Sequence, residues 1–141
     1  MTMRSFRSFL TDRSGVAALE FALITPLLVA MLVFGADTWL RINQLNDERT
    51  ALQTGIRYYE TGGSDDTAAQ QVAQAAWPHI PTNGALTVAR SCTCGTLPAD
   101  CTSLCAGNNT PSVFLTLTAQ GTYSGVMESR VLTQNDVVRV R

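Results

Sequence analysis

Four cysteines lie between positions 92 and 105, in CTCGTLPADCTSLC, and their spacing limits the chemistry open to them. Thiolate zinc sites prefer two to four residues between paired cysteines at both ends. Cys92 and Cys94 have one residue between them, and Cys101 and Cys105 have three. Disulfides are the better reading for an exported domain in an oxidising compartment. A Cys92–Cys94 bridge would strain a very small ring, so Cys92 is expected to pair with Cys101 or Cys105, and Cys94 with the other. Redox catalysis has little support without a C-x-x-C pair. His79 is the only histidine and sits in WPHIP, where it reads as a surface turn residue and not as the base of a catalytic set. Asp65 and Asp66 read as a helix cap and not as a metal pair. The sequence has no phosphate-cradling glycine loop, zinc-protease helix motif or serine elbow, so no enzyme, metal or cofactor is expected.

A second chemical oddity is Glu20. From Val16 to Ala36 the chain runs for 21 residues with Glu20 and Thr25 as the only polar members. As a helix this run spans roughly 30 Å, enough to cross a hydrocarbon core. A carboxylate near its centre would cost about 2.5–3.5 kcal/mol, less toward the interface. A secretory signal has a shorter apolar stretch, and an uncleaved signal anchor explains the length but not the glutamate. A cut between Gly15 and Val16 supplies a reason for it. The new α-amine of Val16 and the carboxylate of Glu20 would stand four residues apart on one helix face, where each offsets the other in a poorly solvated place. A carboxylate in the first turn also faces the positive end of the helix dipole.

The elements that must position these groups follow from the flanking residues. Arg4, Arg7 and Arg13 precede the apolar run, which places the N-terminus in the cytoplasm and exports the rest. Trp39 and Arg41 suit the outer interface. Pro26 removes a backbone donor and is expected to kink the helix. Beyond the span, Leu45, Leu52, Ile56 and Tyr59 recur on one face, so the helix is expected to continue and to pack against a globular part. TGGSDD breaks it, and Ser64, Asp65 or Asp66 can cap a second helix through TAAQQVAQAAW, stopped by Pro78. ALTVAR (85–90), SVFLTLTAQG (112–121) and VVRVR (137–141) alternate apolar and polar residues as strands, and GTYSGVMES extends or pairs with the second.

The domain plan is a basic leader over 1–15, a transmembrane and extended helix over 16–61, and an exported head over 62–141 with a Cys-rich loop at 91–106. The expected fold class is α+β: a long N-terminal transmembrane helix followed by a small head of helices on a short antiparallel sheet. About 100 residues remain for the head, enough for one small core. The net charge of the chain is −1, and after residue 41 six Arg stand against eight Asp or Glu. No basic face for a nucleic acid follows.

SGVAALEFAL resembles the type IV prepilin signal: a short basic leader ending in Gly, then a mature helix with Glu at its fifth position and an aromatic residue after it, here Phe21. The longer run from Gly15 through Pro26 to FGADTW is similar to the TadE-like minor pilins, or pseudopilins, of the Tad pilus system. The resemblance implies cleavage between Gly15 and Val16 by a membrane prepilin peptidase on the cytoplasmic side, with Glu20 and Phe21 guiding subunit docking. It places Asp37 where that family commonly has an acidic residue near the helix end. It further implies, as partners, the peptidase, other minor pilins, the major pilin and the inner-membrane assembly platform. The expected location is the bacterial inner membrane and then the pilus at the cell surface, where it serves adhesion. The reading from another class is an uncleaved, signal-anchored envelope binding or adhesion domain.

Overall fold

The computed structural model describes residues 14–140. The leader expected over 1–15 therefore lies outside the described residues except for Ser14 and Gly15, and so does Arg141. Helix α1 is Ser14–Glu60, and α2 is Asp66–Ala75. The strands are β1 Ala85–Cys94, β2 Leu97–Ala99, β3 Ser112–Ser124 and β4 Ser129–Arg139. The chain divides into two compact units between Thr38 and Trp39. The architecture is α+β: a long apolar N-terminal helix and a head with a four-stranded antiparallel sheet and a short helix.

In the first unit α1 carries an exposed apolar surface among the described residues. Val16, Phe21, Leu23, Leu32 and Phe34 are all exposed, as a helix facing lipid requires. The helix is long and apolar enough to cross a membrane. It is continuous through Pro26. Proline lacks the amide that would bond the Ala22 carbonyl, and beside this gap the Thr25 hydroxyl donates to the Phe21 carbonyl at 2.6 Å.

In the second unit the sheet order is β2-β1-β3-β4. β3 is the organising strand. Val113, Leu115, Leu117, Ala119, Gly121 and Tyr123 alternate inward, while Phe114, Thr116 and Thr118 face away. Of these, Leu115, Leu117 and Ala119 share one core with Ala51, Leu52 and Tyr59 of α1 and Ala69 and Ala73 of α2, together with Leu86 and Trp77. α1 and α2 approach closely because Gly55 and Ala73 meet. A Cβ at Gly55 would lie 3.1 Å from the Ala73 Cβ and 2.5 Å from Leu117 Cδ2. Asp65 caps α2, its Oδ1 accepting the Thr67 amide at 2.8 Å and the Ala68 amide at 3.3 Å.

Three boundaries differ from the sequence expectation. The last strand starts at Ser129, not at 137, and ends at Arg139. Its polar first half pairs fully with β3, from Ser124↔Ser129 to Phe114↔Arg139. This is an edge strand whose only fully buried residue is Leu132, so its pattern is too polar to read as a strand. β1 runs on through Ser91–Cys94, so Cys92 and Cys94 sit in a strand and not in the loop expected over 91–106. The second helix ends at Ala75, two residues short of Trp77, which is buried in the core.

Candidate functional site

Gly15 and Val16 lie in the first two turns of α1, and a Cβ at Gly15 would meet nothing within 4 Å. Glu20 stands one turn beyond Val16 on the same face, with Phe21 exposed beside it. Among the described residues this is an exposed carboxylate on a largely apolar helix surface. It can serve as an acceptor for a cation brought by a neighbour or by the chain's own amine.

The cystine hairpin is the second distinctive element. Cys92 is bonded to Cys101 and Cys94 to Cys105, with Cα separations of 5.2 and 5.6 Å. The two bridges interleave in sequence. They fasten the segment after β2 to β1, and β2 itself pairs with β1 through Cys92↔Ala99 and Cys94↔Leu97. Asp100 shapes the turn between the bridges: its Oδ1 accepts the Thr102 amide at 2.9 Å and the Thr102 hydroxyl at 2.8 Å. Those bonds, the amide first, hold its carboxyl below the usual carboxylate range. Gly107 and Asn108 adopt left-handed backbone at φ 80° and 64°, which closes the Cys105–Asn109 bridge. All four sulfurs are in disulfides, so none is available as a thiolate ligand or nucleophile.

The two bridges differ in burial, and this gives a testable asymmetry. Cys92 is buried in the head while Cys94 is half-exposed at the end of β1. Each bridge closes a short ring worth about 2–3 kcal/mol in the chain-entropy model. Replacing Cys92 and Cys101 with Ser adds the cost of burying a hydroxyl. That double variant is expected to lower the thermal midpoint by about 10 °C or more, and the Cys94, Cys105 pair by less. Melting of the two variants side by side checks the order.

His79 is in a turn and exposed, and its ring Nδ1 lies 3.0 Å from Asp47 Oδ2 of α1. Together with Trp39, Leu40, Gln44 and Tyr123 it borders a cavity of about 450 Å³. Arg90, on β1, reaches Asp66 Oδ1 at 2.7 Å, and that oxygen also accepts the Tyr59 hydroxyl at 2.9 Å. Burial and the Asp66 carboxylate push the Tyr59 phenol well above its ordinary value. These contacts tie α1, α2 and β1 together and use Asp66 as a structural acceptor.

One residue escaped the sequence reading. Glu48 is fully buried in α1, three residues after Leu45 and four before Leu52, on the very stripe that packs on the sheet. Its Oε1 accepts from Gln44 Nε2 at 3.3 Å, and its Oε2 has no hydrogen-bond partner among the described residues. Gly121 leaves room for the pair, since a Cβ there would come within 3.3 Å of both side chains and 2.4 Å of Pro81. Burial raises the Glu48 carboxyl pKa, opposed by the Gln44 bond. The signal was in the spacing: a glutamate at a core position of an amphipathic stripe.

An apolar N-terminal helix long enough to cross a membrane precedes a small α+β head. The family model described as TadE-like protein matches residues 15–45. Over that segment the chain is similar to TadE-like proteins. The match takes in Gly15, Val16, Glu20, Phe21 and Pro26 and stops before the sheet. No curated protein and no solved structure matches the chain.

Proposed function

We propose that this chain is a minor pilin or pseudopilin that is cut between Gly15 and Val16 by a prepilin peptidase and then takes part in priming, assembly or tip formation of a Tad-type pilus used for surface adhesion. The observation that carries the reading is the coincidence of the TadE-like match, which begins at Gly15, with a lone carboxylate at Glu20 on an unshielded apolar helix face. Before cleavage α1 anchors the chain in the inner membrane, with the leader in the cytoplasm and the head in the periplasm. After cleavage the Val16 amine and the Glu20 carboxylate neutralise one another, or pair with those of neighbouring subunits, as the helix leaves lipid for a filament core. Phe21 adds apolar contact at that junction, and the missing amide at Pro26 gives the helix a place to adjust its packing. The partners are the peptidase, the other minor pilins, the major pilin and the membrane assembly platform. The protein's part is structural, and no catalysis is assigned to it.

The test is the intact mass and N-terminal sequence of the protein recovered from its own cells, with and without the prepilin peptidase. A peptidase-dependent start at Val16 is expected. A chain still beginning at Met1 would overturn the reading in favour of an uncleaved anchored domain. Glu20→Ala is expected to be processed normally yet to fall at least five-fold in sheared pili, and Pro26→Ala to fall by less. Equal recovery of Glu20→Ala and the wild type would remove the docking role.

A further inference from the structure

The two edges of the sheet are treated differently. β2 is three residues long with Pro98 in its middle, the disulfides tie the segment after it to β1, and Gln70 of α2 donates to the Leu86 carbonyl of β1. Shortness, proline and a covering element are the usual ways of blunting a strand edge. β4 has none of them. It is 11 residues long, contains no proline or lysine, and pairs with β3 from end to end without a bulge. Among the described residues no strand lies on its other side.

The groups that β4 turns outward follow from its pairing. Val140 donates to the Val113 carbonyl at 3.0 Å, in continuation of the β3–β4 register. By alternation the even-numbered residues of β4 form the hydrogen-bonded pairs with β3, and Val131, Thr133, Asn135 and Val137 direct their N–H and C=O groups to the open side. The Val137 amide agrees with this, since it donates to its neighbour Asp136 Oδ1 at 2.9 Å. Two cavities lie between β4 and α1. One of about 470 Å³ is bordered by Arg57, Glu60 and Asp136, the other of about 280 Å³ by Arg49, Gln134 and Asp136, and Gln53 borders both. Asp136 pairs with Leu117, which lies against Gly55, so Asp136 stands along α1 between Arg49 and Arg57. The eight residues from Arg49 to Arg57 cover about 12 Å of helix. Positions i, i+2 and i+4 of a strand share one face and span about 13 Å. A strand added beside β4 therefore brings three successive helix-facing side chains to the levels of Arg57, Asp136 and Arg49. None of these three is in an ion pair among the described residues.

We propose that β4 is a docking edge for an extended segment of another protein, which adds as a fifth strand and carries an acidic, a basic and an acidic residue at alternate positions toward α1. A peptide backbone is the partner that matches the repeat of donors and acceptors along the edge, which sets the class of occupant. Arg57 and Arg49 select the two acidic residues, and Asp136 selects the basic one between them. A second copy does not fit, because no two acidic residues of this chain are four apart. On docking, the Val137 amide exchanges the Asp136 carboxylate for a carbonyl of the incoming strand, and Asp136 turns to the basic side chain. The inference concerns the head alone and stands whether or not the chain is cut at Gly15.

The experiment uses the full chain in dodecylmaltoside micelles and follows amide hydrogen exchange residue by residue by nuclear magnetic resonance. The probe is the capped peptide Thr-Glu-Thr-Lys-Thr-Glu-Thr at about 1 mM, and its control is the charge-swapped Thr-Lys-Thr-Glu-Thr-Lys-Thr. The first peptide is expected to slow exchange at Thr133 and Asn135 at least ten-fold while Thr87 and Ala89 of β1 change less than two-fold; the control is expected to slow none of them. Asn135→Pro removes one outward amide without touching the β3 ladder and is expected to abolish the protection. Arg57→Glu, at an exposed helix position, is expected to weaken binding at least ten-fold and carries the test if the proline variant does not fold. Exchange at Thr133 and Asn135 that changes less than two-fold with the first peptide overturns the docking edge. Equal protection by both peptides overturns the charge pattern assigned to the partner. Protection of β1 to the same degree as β4 also overturns the proposal, since that pattern marks aggregation on the peptide.

Discussion

Gly55→Leu is expected to cost the head most of its stability, with the thermal midpoint falling by 15 °C or more, because three elements converge on that one hydrogen atom. Leu117 of β3 is fully buried, and its Cδ2 would stand 2.5 Å from a Cβ at Gly55, with the Ala73 Cβ of α2 at 3.1 Å. A leucine tip could normally swing away from such a contact. Here Leu117 is enclosed by Ala51, Leu52, Leu115 and Ala119, so it can move only by displacing the core. Helix propensity argues the other way, since Gly costs about 1 kcal/mol relative to Ala in a helix interior. Overpacking of this kind costs about 1–3 kcal/mol for added methylenes alone and more where backbones must separate. The steric term therefore wins for Leu. Gly55→Ala meets the same contact with its single carbon and recovers helix propensity, so it is expected to lower the midpoint by clearly less than Leu does. Thermal melts of both variants by near-ultraviolet circular dichroism distinguish this close approach from a glycine of no consequence; equal midpoints for Leu and Ala would refute it.

Glu48→Gln is expected to stabilise the head at neutral pH, and the gain should vanish in acid. Burial raises the folded-state pKa of Glu48 above its unfolded value, so the native state binds the proton more tightly than the unfolded chain does. Stability then falls as pH rises from the ordinary carboxylate range through the raised folded value, and the whole penalty is present above it. Gln44 provides one hydrogen bond, and the second oxygen has no partner among the described residues. An amide of the same shape removes the buried charge and keeps the Gln44 contact. The gain is the cost of ionising a buried carboxyl, about 1.4 kcal/mol at pH 7 for each unit by which folding raises its pKa. Unfolding midpoints measured from pH 4 to pH 8 should converge at the acid end and separate as pH rises. A constant offset across that range would mean that Glu48 does not titrate in the window. The glutamate has a destabilising position in a small core, and its retention there invites the same pH series on the assembled protein.

The long apolar run, the helix beyond it, the capped second helix and the strands at 85–90 and 112–121 were all readable along the chain, because each rests on a local pattern: hydropathy, a repeat of 3.6 or of 2, a capping aspartate. Glu20 stood out for the same reason, as a carboxylate in a run that leaves no other polar group beside it but Thr25. β4 was legible only at its C-terminal end. Its first half is polar, and what makes it a strand is the row of backbone partners that β3 presents, which no local pattern carries.

By itself, then, the sequence determined that this is an α+β protein with an N-terminal helix long and apolar enough to cross a membrane and similar to TadE-like proteins, since apolar runs and amphipathic stripes are written in consecutive residues. Tertiary structure alone decided which cysteines pair, because four sulfurs in one segment satisfy two arrangements until β1 and β2 set the Cα distances. It also decided that Glu48 is buried against Gly121 and that Gly55 admits Leu117. Each of these joins residues far apart in the chain, and their energies depend on distances that only the packed sheet and helix define.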